Sequence, residues 1–310
     1  MRMLRGDVWT WEVNPDENLA VTIGVFDSVH RGHREVIGRL VDDAAVRNLT
    51  PAALTFDVHP LQIVAPERAP ALLSTVAQRL EELASLGVEI GGVLPFRQVR
   101  NMPAETFAAE ILGERLRSRL VVVGTDFRFG LDRTGDVELL RRVGGMVGFE
   151  VEAVHLLSEE AGRVSSTHIR EMISAGRVEE AAAELGRPYE IRGEVVHGDS
   201  RGKGIGFPTA NLRLAERQLV PAEGVYVVEA ALEPGQWLRG AANVGTRPTF
   251  GEGPLVMEVF LLDFDGDFYG QELAVRFRRR LRGEMRFENV GALVAQLEKD
   301  VAAVREFFAN

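Results

Sequence analysis

The chain has 310 residues, enough for two domains of ordinary size, and its 45% hydrophobic and 26% charged composition is that of a globular protein. A formal charge of −10 argues against a sequence-independent nucleic-acid binder, and the absence of cysteine rules out disulfides and thiolate metal sites. No apolar run approaches the length of a membrane span and MRMLRGDVW lacks the apolar core of a signal peptide, so a cytoplasmic location is the simplest expectation.

Residues 1–20, with Trp9 and Trp11, read as an edge strand or arm packed on the first domain. The stretch around which the rest is organised follows, VTIGVFDSVHRGH at 21–33. A strand carried by Val21, Ile23 and Val25 runs into a sharp turn and then a helix continuing over 34–47. His30 and His33 lie three apart and share a helix face. Gly32 between them leaves no side chain to hold a ligand off the backbone. Unpaired N–H groups and the positive end of the dipole at a helix start favour a phosphate. Spacing alone leaves open a plain βα turn with surface or core histidines. A metal pair has little support, since no HExxH is present.

A second strand over 51–57 ends in Asp57-Val58-His59-Pro60. That places Asp57 and His59 just past the carboxyl end of a parallel strand, where open α/β sheets bind ligands; a turn Asp and a surface His would look the same. Val76, Leu80 and Leu83 predict a helix over 74–86 with Ser74 as its N-cap. A strand over 88–96, a helix over 103–116 with Phe107, Ile111 and Leu112 inward, and a fully apolar strand over 120–124 come next. The last runs into TDFRFG, which contains Asp126, and a helix over 135–143 and a strand over 149–154 follow. This alternation predicts a doubly wound parallel sheet. VSSTHIR at 164–170 opens a helix. Ser165, Ser166 and Thr167 can cap it and offer hydroxyls to a phosphate, and Arg170 can clamp an oxygen pair, although spacing alone favours an ordinary capped helix. A helix over 178–185 and the break Gly186-Arg187-Pro188 close the domain.

From 189 onward short strands alternate with glycine-rich turns, at 189–196, 224–232, 237–244, 256–263 and 272–279. They predict an antiparallel sheet or small closed barrel, followed by an amphipathic helix over 288–308 with Leu293, Leu297, Val301 and Val304 on one face. Within this region HGDSRGKGIGFPTAN fails as a Walker A loop, because only three residues separate Gly198 from Gly202-Lys203 and Gly204 stands where Ser or Thr is required. In the extended PTAN the Thr209 hydroxyl and Asn211 amide share a face. Two hard oxygen donors of this kind suit Mg2+ with a nucleotide, and a flexible hairpin loop is the competing reading. Glu258 lies on a barrel strand, where most glutamates face solvent.

Together these motifs resemble, in order and over nearly the whole chain, the bacterial bifunctional riboflavin kinase/FAD synthetase family. GVFDSVHRGH is similar to the HxGH motif of nucleotidyltransferases in its GxFDGxH form, with Ser28 where the family has Gly. TFDVHP resembles TFDPHP, with Val58 in place of proline; TDFRFG resembles VGxDFxFG, and VSSTHIR resembles ISSTxIR. GFPTAN and NVGTRPTF resemble riboflavin kinase segments, and MEVF followed by DFDGDFYG resembles that module's catalytic strand.

The resemblance implies an α/β chain with a Rossmann-like nucleotidyltransferase domain over 1–186 and an antiparallel β-barrel riboflavin kinase domain with a terminal helix over 187–310. It implies phosphorylation of riboflavin to FMN in the barrel and adenylylation of FMN to FAD, with release of pyrophosphate, in the first domain. ATP is co-substrate and Mg2+ the cofactor; neither nucleic acid nor membrane is a partner. It gives His30 and His33 the role of transition-state stabilisers, and places Gly24, Phe26, Gly32, Asp57, Asp126, Ser166, Thr167 and Arg170 around the nucleotide and its phosphates. In the barrel it puts Thr209 and Asn211 on Mg-ATP, Gly198 and Lys203 near phosphate, and Glu258 as base. A nucleotidyltransferase for another phosphorylated metabolite would leave the barrel motifs unexplained, and the intact motifs speak against a flavin-binding protein without chemistry.

Overall fold

Six strands form the first sheet, the inner four of mostly buried apolar residues: β1 (Arg2–Leu4), β2 (Leu19–Ile23), β3 (Thr50–Phe56), β4 (Ile90–Leu94), β5 (Ser118–Gly124) and β6 (Glu150–Val154). The computed structural model describes residues 1–155, 164–197, 204–233, 235–246, 255–264, 266 and 268–309. All pairings in this sheet are parallel, in the order β1-β4-β3-β2-β5-β6. Every residue of β2 is buried, as a strand covered on both faces requires. One face packs Val21, Ile23 and Val121 against Phe107, Ile111 and Leu140. The other meets α1 (Arg31–Arg47) through Val36, Ile37 and Leu40, and the helix Val76–Ser85 through Leu80 and Leu83. The strand order reverses at β2, so the carboxyl ends of β2 and β5 flank the crevice where such sheets hold ligands. The outer strand β6 carries Glu150 and Glu152, ion-paired with Arg47 at 2.6 Å and Arg39 at 2.5 Å.

One local expectation is corrected. Thr75, not Ser74, caps the helix Val76–Ser85, in a reciprocal box: Gln78 N donates to Thr75 Oγ1 at 3.2 Å and Thr75 N donates to Gln78 Oε1 at 2.9 Å. Ser74 is buried and bonded to the histidine turn instead.

The second sheet closes into an antiparallel barrel of β7 (Tyr189–Val196), β8 (Ala210–Leu214), β9 (Gly224–Ala231), β10 (Leu238–Thr246), β11 (Leu255–Leu261) and β12 (Glu272–Arg282), in the order β10-β11-β8-β7-β12-β9. Sequence patterning predicts β8 only as extended chain at Asn211; as partner of both β7 and β11 it completes the ring. The helix Val290–Ala309 buries Val304, while Leu293, Leu297 and Val301 are half-buried. Its Asp300 is also buried, held by Arg282 Nη2 at 2.7 Å and Gln296 Nε2 at 2.9 Å.

The chain divides into the units Met1–Ser166 and Thr167–Asn310. Helices that precede the barrel in sequence group with it, since Glu179 pairs with Arg279 at 3.1 Å and Ala222 N donates to Ile173 O at 3.3 Å.

Candidate active sites

Between β2 and α1 the chain turns through Phe26, Ser28 and Val29 at φ of 49°, 77° and 41°. Ser28 thus adopts the left-handed conformation for which glycine is the usual choice. His30 caps α1: its Nδ1 accepts from His33 N at 3.4 Å, which leaves the proton of the neutral ring on Nε2. The His30 and His33 rings stack at 3.7 Å between centroids, and the Phe26 ring meets His33 edge-on at 5.3 Å. The His33 Nδ1 is buried with no hydrogen-bond partner among the described residues.

Burial first, and then the neighbouring His30, hold the His33 imidazole well below its ordinary value. The folded free cleft therefore holds this imidazole neutral rather than as a standing cation. The sign of the linkage follows: below about 6.5 the unfolded chain takes up a proton at this residue that the folded chain refuses. Its contribution to stability is complete above that pH and is lost as pH falls toward the folded value. Urea unfolding of the N-terminal unit should shift to lower denaturant between pH 7.5 and 5.5, and His33→Gln should flatten part of that shift. An unchanged slope in His33→Gln would assign the pH dependence to other groups.

A cleft of about 390 Å³ brings together Gly24, Phe26, His30, Gly32, His33 and Asp126 with Val164 and Ser165. Ser166 Oγ donates to Asp27 O at 3.1 Å and so fastens the next residue to the same turn. Thr167, exposed, and Arg170, half-buried, lie further along the helix Ser166–Ser174, in the other unit. Asp57 lines no part of this cleft. Its Oδ1 accepts from Val58 N and Phe96 N, both at 2.9 Å, and so joins the loops after β3 and β4.

Beside the cleft lies a larger cavity of about 740 Å³, within the usual range for small-molecule sites. The two share Ile23, Gly24, Asp126 and Phe127. Phe56, Phe96, Phe107, Phe127 and Phe129 line the larger one, with exposed Arg100, Arg128 and Arg133. Sequence reasoning missed this aromatic chamber. The signal available was positional: Phe56, Phe96 and Phe127 stand at or just past the carboxyl ends of β3, β4 and β5.

In the barrel, antiparallel register sets Asn211 of β8 opposite Glu258 of β11, and Glu258 opposite Asn243 of β10. Directly opposed residues share a sheet face, so three polar side chains form a row across three strands. Met257 and Val259 are each 1% exposed, which turns the half-buried Glu258 to the other face of its strand. Asn211 is buried and Thr209 half-buried two residues before it. Gly198 and Lys203 lie outside the described residues, as does 247–250. No group of three or more His, Cys, Asp or Glu among the described residues could hold a metal ion. The oxygens of Thr209 and Asn211 nevertheless fit Mg2+, which keeps few protein ligands and fills its shell with phosphate oxygens and water.

Comparison with known proteins agrees in both halves. A family model described as FAD synthetase matches residues 13–168, and one described as riboflavin kinase matches 185–308. The bifunctional riboflavin kinase/FMN adenylyltransferase of Escherichia coli K12 is 39% identical over 309 residues, covering 99% of this chain and 98% of that protein. Its namesake from Pseudomonas fluorescens is 38% identical over 100% of this chain and 98% of its own length. The crystal structure of a macrolide-efflux protein from Streptococcus pneumoniae superposes with a TM-score of 0.84 at 34% identity, covering 95% of this chain and 96% of that one. No helix among the described residues is long and apolar enough to cross a membrane. The chain belongs to the bacterial bifunctional riboflavin kinase/FMN adenylyltransferase family, and it makes FMN from riboflavin and FAD from FMN with ATP.

Proposed function

We propose that the histidine cleft is the seat of adenylyl transfer and that the Asn211–Glu258–Asn243 row is the seat of phosphoryl transfer. The observation that carries the first assignment is the stacked His30–His33 pair at the start of α1, sharing a wall with an aromatic chamber large enough for a flavin ring. The FMN phosphate carries close to two charges at neutral pH and needs no base. His30 and His33 instead stabilise charge building on the α-phosphate and the departing pyrophosphate. Gly24, Phe26, Gly32 and Asp126 hold the nucleotide, Ser166, Thr167 and Arg170 hold the triphosphate, and Asp57 acts through the loops that it joins.

Riboflavin, in contrast, presents a neutral primary alcohol, which attacks a γ-phosphate poorly unless a base accepts its proton. Glu258 is that base. Thr209 and Asn211 would hold Mg2+ and orient the ATP phosphates, with Gly198 and Lys203 on the phosphate side. When bound, Mg2+ offsets charge developing on phosphate oxygens. We place the functional division at 186/187, supported by a riboflavin kinase match that begins at residue 185. The use of ATP supports a cytoplasmic location, and the net charge of −10 supports small molecules rather than nucleic acid as partners.

The test is chromatography of purified protein supplied with riboflavin, ATP and Mg2+. FMN should appear first and FAD after it, and excess chelator should stop both half-reactions. Sustained turnover of either in chelator would remove the metal from that half of the reading.

A further inference from the structure

Three non-glycine residues at positive φ persist in one turn only where the surroundings over-determine them. Here most of the bonds come from one stretch, residues 73–79, with Thr55 on the Val25 carbonyl and Ser166 on the Asp27 carbonyl beside it. The Asp27 carboxylate, 2% exposed, accepts from Leu73 N at 3.1 Å, Ser74 N at 3.0 Å and Ser74 Oγ at 3.2 Å. Ser74 Oγ accepts in turn from Ser28 N at 2.8 Å. Arg79, also 2% exposed, sends Nη1 to Val25 O at 2.9 Å and to Thr55 Oγ1 at 3.0 Å. Thr55 Oγ1 donates to the same Val25 carbonyl at 2.9 Å. Burial draws the Arg79 guanidinium down from its ordinary range, while Asp27 and then Asp57 draw it up. It stays charged, a buried ion beside the turn's own carboxylate.

Residues 25, 27 and 28 are therefore all held by one segment that lines neither the cleft nor the cavity. Displacing that segment would move His30 and His33, which follow the turn directly, without removing any group that meets a substrate. We propose that Ser74 and Arg79 are positioning residues for adenylyl transfer, setting the placement of the two histidines without touching a substrate. This rests on the assignment of the histidine cleft to that reaction.

The experiment uses the full chain in four variants, Ser74→Ala, Arg79→Met, Arg79→Lys and His33→Ala. For each, kcat and KM for FMN are measured in FAD formation, with near-ultraviolet circular dichroism on the same preparation. Ser74→Ala removes both bonds of that hydroxyl, to Asp27 and from Ser28 N, and leaves Ser74 N on the Asp27 carboxylate; a net cost of that order predicts about a tenfold fall in kcat, with KM for FMN held within about twofold. A misplacement of about 1 Å predicts a fall of about 10²-fold for Arg79→Met, and Arg79→Lys, which keeps a cation and donors, should recover part of it.

Parental kcat in Ser74→Ala overturns the proposal whatever the arginine variants do, because that substitution removes a single hydroxyl. A raised KM at unchanged kcat also overturns it, since that marks a binding role. A fall in kcat of both arginine variants in proportion to a decline in native dichroism overturns it for Arg79. His33→Ala separates the two levels. If it stops FAD formation while Ser74→Ala is parental, only the positioning role falls; if it is parental too, the assignment of the cleft falls with it.

Discussion

Replacing His33 with alanine is expected to stop adenylylation of FMN while riboflavin phosphorylation continues at close to the parental rate. The ring is fixed on two sides, stacked on His30 and met by the edge of Phe26, so the imidazole is held in place before any ligand arrives. Removing one pre-oriented donor to a developing oxyanion costs about 10²–10³-fold in turnover. The loss here should reach the upper end, because the alanine variant also frees the stacked partner that caps α1. FAD and FMN separated by chromatography from one preparation, supplied first with FMN and then with riboflavin, give both rates. Equal loss of both activities would show that the two reactions do not run independently.

Glu258→Gln is expected to lower FMN formation by about 10²–10⁴-fold, the usual cost of removing a positioned base. The substitution keeps side-chain size and hydrogen-bonding capacity, and the strand is held by Met257 and Val259, both inside the barrel wall. Register with Asn211 and Asn243 should survive, and with it ATP affinity through Thr209 and Asn211. Turnover and nucleotide affinity measured together separate three cases. Reduced turnover at parental affinity supports the base; parental turnover removes it; reduced affinity makes Glu258 a ligand of metal or substrate instead.

Much of the frame was legible because it is written in local periodicity. The apolar runs separated by amphipathic helices gave the parallel sheet, and the short strands with glycine turns gave the barrel. The histidine pair stands at the start of α1, where its spacing put it. What escaped depends on pairs distant in sequence. Ser74 and Thr75 are both good cap residues, and only Asp27, forty-odd positions earlier, decides that Ser74 serves the turn and Thr75 the helix. The capping role of His30 was also hidden, since imidazole is not among the favoured cap groups. In the barrel, β8 lies between β7 and β11, so the alignment of Asn211 with Glu258 follows from a strand order that no local pattern encodes. Phe107, on the wall of the large cavity, read as core because apolar periodicity cannot tell a packed interior from an empty one, and no local pattern joined it to the other four phenylalanines.

The two sheets face opposite hazards in a crowded cell. A barrel closed through β9 and β10 offers neighbouring molecules no row of unpaired backbone groups on which to grow a fibril. The parallel sheet has two such margins. One is β1, only three residues long. The other is β6, where Glu150 and Glu152, tied to Arg47 and Arg39, set charged groups along the rim. Parallel sheets assemble slowly and leave their margins open meanwhile, and charge along an edge strand disfavours its pairing with another chain.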